Sequence, residues 1–174
     1  MYMPAGATVI AGIDLERLRP TPLFAKIPES LRNGSYALVG YDGKDLVTAS
    51  RAGSRITLSR DAVKGRPPDL LQHASDSPIW IVARGHSRLP LAGNLANLNP
   101  LLQQTEYTTV TAHVGDSIHL EITGVCVSPE IARHLEENVR AIASLMKFPL
   151  QVHREGAIVR GSGSIAVETA GKLF

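Results

Sequence analysis

Apolar and polar residues alternate most strictly between Tyr107 and Cys126. In the first run Thr108, Val110, Ala112 and Val114 share one face, and Thr109, Thr111 and His113 share the other. In the second, Ile118, Leu120 and Ile122 oppose His119, Glu121 and Thr123. A period of two is the mark of a half-buried strand. Gly115-Asp116-Ser117 separates the runs, so the pattern predicts a hairpin. A two-residue loop would pair Val114 with Ser117 and Ala112 with His119, mixing apolar with polar on both faces. A three-residue loop pairs Val114 with Ile118, Ala112 with Leu120 and Val110 with Ile122, which leaves one face wholly apolar. The longer loop is therefore expected, and it sets His113 opposite His119 and Thr111 opposite Glu121.

The period changes after Ser128. Ser128 is a helix cap, Pro129 fits the first helical position, and Glu130 suits the positive end of the helix dipole. Ile131, Leu135, Val139, Ile142 and Met146 recur at helical spacing, with charged residues on the other side. Glu136 and Arg140 are one turn apart, in reach of each other. Pro149 predicts an end near Lys147. The apolar stripe of this helix is expected to lie on the apolar face of the hairpin.

Weaker patterns fill in the rest. Thr8 to Ile13 reads as a buried strand, followed by a helix broken at Pro20, Pro22 and Pro28. Tyr36 to Tyr41 and Leu46 to Ser50 flank Asp42-Gly43, a hairpin signal. Arg55 to Leu58 adds a short strand, Ser59 a possible cap, and Asp69 to Ala74 a helix. Ile79 to Ala83 reads as a strand and Leu91 to Gln104 as an irregular helix. A last hairpin turns at Glu155-Gly156, before a helix or tail from Val167 to Phe174.

The strands at Thr8 and Ile79, the turns at Asp42 and Gly115, and the caps at Ser59 and Ser128 each recur at an offset of roughly 70 residues, the pattern of an internal repeat. The expected fold is α+β: one domain over residues 1–174 with two similar βαββα(β) halves of ferredoxin-like type. The halves cover approximately 7–76 and 77–154, and a C-terminal strand and tail cover 155–174. The sheet is expected to be mainly antiparallel, with helices packed on one face.

Composition narrows the class. At 44% hydrophobic and 20% charged over 174 residues, the chain has an ordinary globular balance. A formal charge of +2 does not by itself point to nucleic acid, which is not an expected partner. A single cysteine, Cys126, excludes an internal disulfide and a cysteine-based zinc site. No apolar run reaches membrane-spanning length. The N-terminal Met-Tyr-Met-Pro-Ala-Gly has neither a basic nor an apolar leader region. The chain as given therefore reads as cytoplasmic; the alternative is an extracytoplasmic protein whose leader has been removed.

Three groups of residues carry candidate chemistry. Cross-strand neighbours on a sheet have β-carbons about 5 Å apart, so His113 and His119 could share a metal, with Glu121, His86 or His153 as a third ligand. The competing reading is a solvated face that happens to hold two histidines. Arg51, Arg55, Arg60 and Arg66, with Lys64, offer an anion- or nucleic-acid-binding surface, with an ordinary solvated face as its competitor. Cys126 continues the apolar alternation and reads as a buried small hydrophobe. Gly161-Ser-Gly163-Ser-Ile-Ala166 fits a loose dinucleotide pattern, but too little chain follows for the βαβ unit it needs, and no cofactor is expected.

Several stretches resemble an uncharacterised bacterial family of two-repeat α/β proteins. They are Ala11-Gly-Ile-Asp-Leu-Glu-Arg-Leu-Arg-Pro-Thr-Pro-Leu-Phe, Pro67-Pro-Asp-Leu-Leu, Ser77-Pro-Ile-Trp-Ile-Val and Gly93-Asn-Leu-Ala-Asn-Leu-Asn. The resemblance implies a two-repeat fold and an envelope location; it implies no activity and no functional residues. With no nucleophile, acid–base pair or cofactor motif assembled, the expected role is non-catalytic. It is protein interaction, including self-association into a homodimer, because an open sheet has edges that invite pairing.

Overall fold

The computed structural model describes residues 6–53, 55–58, 69–89, 99–145 and 147–167. Its strands are β1 (Val9–Asp14), β2 (Tyr36–Tyr41), β3 (Leu46–Ala52), β4 (Arg55–Leu58), β5 (Ile79–Arg84), β6 (Tyr107–Val114), β7 (Ser117–Val125), β8 (Leu150–Glu155) and β9 (Ile158–Ala166). They form one continuous sheet in the order β4-β3-β2-β1-β5-β6-β7-β9-β8. Every ladder is antiparallel. The molecule is thus α+β with a large antiparallel sheet and a few helices.

The hairpin of β6 and β7 has the register that the apolar pattern demands. Val114 pairs with Ile118, Ala112 with Leu120, and Val110 with Ile122. In the β2–β3 hairpin the loop is longer, with Tyr41 pairing Leu46. There the Asp42 carboxylate accepts the backbone N–H groups of Lys44 and Asp45 at 2.9 and 2.8 Å, which closes the turn and holds its pKa below the usual carboxylate value.

The helices are α1 (Leu15–Leu18), α2 (Glu29–Arg32), α3 (Asn99–Leu102) and α4 (Pro129–Leu145), with 3₁₀ turns at Pro22–Lys26 and Asp69–His73. Asp14 caps α1 by accepting from the Arg17 N–H at 3.0 Å, and the prolines divide residues 15–32 into short separate pieces. Asp69–His73 is a 3₁₀ turn and not the longer helix expected. Most of the helix expected from Leu91 lies outside the described residues, as do Ser59 and Met146.

Register and alternation assign each element to a face. Val9 opposes Ala83 on one face; Ile10 opposes Val82 on the other. α1 packs on the first face through Leu15 and Leu18 against Ile13, Ala37 and Ile79. Leu102 of α3 meets Val9 and Ala83 on that face, and α4 meets Val152 and Val159. On the opposite face the Asp69–His73 turn inserts Leu70 among Ile10, Trp80 and Val82. Gly12 sits beneath Trp80, whose Nε1–H donates to the Tyr36 hydroxyl at 2.9 Å. A β-carbon at Gly12 would come within 2.3 Å of both partners, so the position admits only glycine without displacing them.

One expectation is corrected. The stripe of α4 lies mainly beyond the β6–β7 hairpin, which it meets at Gly124 through Leu135; it packs Ala132 and Leu135 with Cys126, Val152 and Val159, over β8 and β9. The apolar face of the hairpin is covered differently: Ala112 and Ile118 pack with Ile79, Ile165 and Val167. The cause is topological. β9 pairs directly with β7, and β8 lies outside it, so the chain returning through α4 is carried beyond the hairpin. Among the described residues no helix is long and apolar enough to cross a membrane.

Candidate functional site

The polar face of the hairpin brings together one part of the expected metal group. His113 and His119 are cross-strand partners, as are Thr111 and Glu121. His119 is held by other groups, however. Its Nδ1 lies 2.9 Å from the Ser164 hydroxyl of β9, and its Nε2 lies 3.6 Å from the Glu121 carboxylate. A histidine ligates a metal through a ring nitrogen lone pair, and here both nitrogens already face a partner. Among the described residues, no three His, Cys, Asp or Glu side chains are grouped to hold a metal ion.

The same contacts set Ser164, His119 and Glu121 in line as hydroxyl, imidazole and carboxylate. Sequence reasoning missed Ser164 because β7–β9 pairing, across 45 residues, is what delivers it. The order is that of a nucleophilic triad. Yet the His119 and Glu121 side chains are 46% and 61% exposed on an open sheet. Charge development in the presence of that much water gains little from so few fixed groups. The arrangement is an exposed surface contact with one hydrogen bond, His119 to Ser164, and the Glu121 carboxylate beside it.

The basic segment is only partly described: Arg60, Lys64 and Arg66 lie outside the described residues. Arg51 pairs with Ile56 and Arg55 with Ala52, so alternation sends the two arginines to opposite faces. Both are exposed, and Arg51 also donates from Nε to the Gly53 carbonyl at 2.9 Å. They flank the sheet edge from above and below; they do not form one patch.

The two edge strands differ sharply. At β8 the Arg140 guanidinium of α4 donates to the backbone carbonyl of Val152. Glu136 holds Arg140 at 2.8 Å and Arg154 of β8 at 3.4 Å. The Arg140 bond holds the Glu136 carboxyl below its ordinary pKa, with Arg154 adding to the effect. Leu150 closes its own N–H on the Phe148 carbonyl at 2.8 Å. At β4, by contrast, no described side chain bonds to the strand backbone. Ile56 is 53% exposed there, and Leu46 on the neighbouring strand is 57% exposed.

A cleft of about 230 Å³ opens where the Asp69–His73 turn meets the end of β5 and the start of β6. Asp69, Gln72 and His73 line one wall; Arg84, Glu106 and Tyr107 line the other, with Leu70 beneath. The lining residues come from both sides of the chain's midpoint and are brought together because Arg84 pairs with Tyr107. Gly85 makes the junction tight. Its N–H donates to the Glu106 carbonyl at 2.6 Å, and a β-carbon there would lie 1.7 Å from the Thr105 carbonyl oxygen. His86 comes next, in the left-handed region at φ 62°, with its N–H on the Leu102 carbonyl at 3.1 Å. His73 stacks on Tyr107 with ring centroids 4.0 Å apart. No sequence motif marks the cleft. Gly85-His86 at a strand end was its one local sign.

Cys126 is buried, and burial together with the nearby Glu106 charge pushes its thiol pKa up. A protonated, enclosed thiol is a poor nucleophile, in keeping with a packing role beside Leu135. Compared with known proteins, the chain matches no family model, and no curated protein and no solved structure is significantly similar to it.

Proposed function

We propose that the chain is a non-catalytic protein-interaction domain that takes an extended partner segment on the β4 edge. The observation that carries this reading is the contrast between the edges. A strand without a neighbour presents unpaired N–H and C=O groups, and proteins usually blunt such an edge. β8 is blunted by Arg140 and its carboxylate clasp. β4 has no comparable cover among the described residues, and it carries exposed Ile56. Strand addition draws its affinity from backbone bonds and its specificity from alternate side chains.

The charge of the edge favours one kind of partner. Arg51 and Arg55 stand on both sides of it, so a second copy docked edge to edge would bring like charges together. An acidic strand meets opposite charge on either face. Self-association is therefore the lesser form of the proposal. The proposed duplication fits the same picture: β1 and β5 are the central pair, and β1-β2-β3 and β5-β6-β7 run outward from them in the same order, before β9 enters ahead of β8 in the second half. What supports it is this shared order, together with the recurring strands and turns of the sequence.

The test is a titration of the full chain with two designed peptides that alternate valine with glutamate or with lysine. The glutamate peptide is expected to bind, with affinity falling as salt rises. An Arg51→Glu/Arg55→Glu variant is expected to reverse the preference. Equal binding of both peptides by the unaltered chain, or of neither, would overturn the reading. A dimer in sedimentation that persists in the double variant would show that edge charge does not choose the partner.

A further inference from the structure

We propose that the cleft between the Asp69–His73 turn and the β5–β6 junction binds a small zwitterion of the α-amino acid class. It is four strands from the β4 edge and independent of that surface. Its lining carries opposite charges that do not pair. Arg84 takes part in no ion pair or side-chain hydrogen bond among the described residues, and neither does the carboxylate of Asp69 or Glu106. Elsewhere on this molecule neighbouring opposite charges do close on each other, as at Glu136 with Arg140 and Glu155 with Arg160. In the cleft they form no such pair among the described residues. Arg84 ends a strand whose register is set by β6, and Gly85 admits no outward shift because Thr105 is packed against it.

A ligand that satisfies both signs of charge needs an anionic and a cationic end a few bonds apart. A carboxylate matches the planar fork of Arg84, which binds such groups through two parallel N–H bonds. An ammonium matches Glu106 and Asp69. The volume, about 230 Å³, is below the range of drug-sized pockets and suits a molecule of this size. Leu70 and the Tyr107 ring, the latter steadied by its stack on His73, supply an apolar wall for a side chain. Gln72 is already turned to His73, with Nε2 and Nε2 3.2 Å apart, which keeps that nitrogen of His73 as an acceptor and leaves the ligand to the charged groups.

The charges make the experiment specific. Phenylalanine, its N-acetyl derivative and its methyl ester are titrated into the full chain, with amide shifts followed by two-dimensional NMR. Phenylalanine is expected to give saturable shifts at Arg84, Glu106 and Tyr107, and each derivative to bind about tenfold more weakly or worse, a step of one lost charge pairing. Arg84→Gln should abolish the difference between phenylalanine and its ester. Glu106→Gln should reduce the difference between phenylalanine and its N-acetyl form. Both positions are exposed, and the spectra themselves report that the variants stay folded. Equal shifts from all three compounds would overturn the proposal. So would the absence of saturable shifts with phenylalanine and glycine alike, or shifts confined to residues outside the cleft.

Discussion

Among the described residues β8 and β4 each lack a neighbour on one side, yet only β8 lies beneath a helix that also reaches over its edge. α4 buries Ala132 and Leu135 against Val152 and Val159, and from the same helix Glu136 and Arg140 extend to the strand backbone and to Arg154. β4 is four residues long and hangs from β3 by its own ladder, with Ile56 turned to water. The contrast shows that one amphipathic helix can both build a core and close an edge, because its apolar and charged stripes face neighbouring parts of one strand.

The largest effect should come from removing the core side of that arrangement. Leu135 is buried and meets β7 at Gly124, where even a β-carbon would approach it at 3.0 Å. Leu135→Ala is expected to cost about 2–5 kcal/mol, the range for a buried leucine that leaves a cavity. Ile56→Ala at the other edge should stay within about 0.5 kcal/mol, as surface substitutions do. Urea midpoints of the two variants measure the difference. Equal losses would mean that β4 is packed against something and is not an open edge.

A smaller effect is expected at the start of the helix. The Ser128 hydroxyl accepts the Ile131 N–H at 3.3 Å and satisfies one of the free donors of the first turn. Ser128→Ala should cost about 1 kcal/mol, and Ser128→Asp should restore most of it. Thermal unfolding of the pair checks this. No loss on Ser128→Ala would place the stability of α4 wholly in its packing.

The two edges also differ in how far they could be foreseen. Ser128, Pro129 and the Ile131–Leu135–Val139 stripe announce α4 and its cap, since those signals act within a few residues. The β6–β7 register was equally legible, because only one loop length keeps Val110, Ala112 and Val114 beside apolar partners. The landing place of α4 was not, since it depends on β9 entering between β7 and β8. The Arg140–Val152 bond and the His119–Ser164 contact arise from that same insertion. The cleft was hidden for the same kind of reason: Asp69 and Glu106 share it only because β5 pairs with β6 at one register. Local chemistry writes the elements, and pairing across distance decides which side chains meet.

The smallest effect is local, and it sharpens the contrast through pH. The Arg140 guanidinium, with Arg154 beside it, holds the Glu136 carboxyl below its ordinary pKa. A lowered pKa in the folded state means that this contribution is complete above the unfolded pKa and fades as pH falls through the folded one. Below the usual carboxylate range Glu136 takes up a proton, and its hold on both arginines weakens. Amide exchange along β8 should then quicken relative to the central strands β1 and β5, with little change in global stability because the pair is solvated. Glu136→Gln should show the faster β8 exchange already at neutral pH and lose the acid dependence. β4 has no such clasp among the described residues, so its exchange relative to the same central strands should be unaffected by that substitution. If β8 in Glu136→Gln still responds to acid as the unaltered chain does, the edge is held by the apolar contacts of α4 alone, and Arg140 covers the Val152 carbonyl without help from its carboxylate.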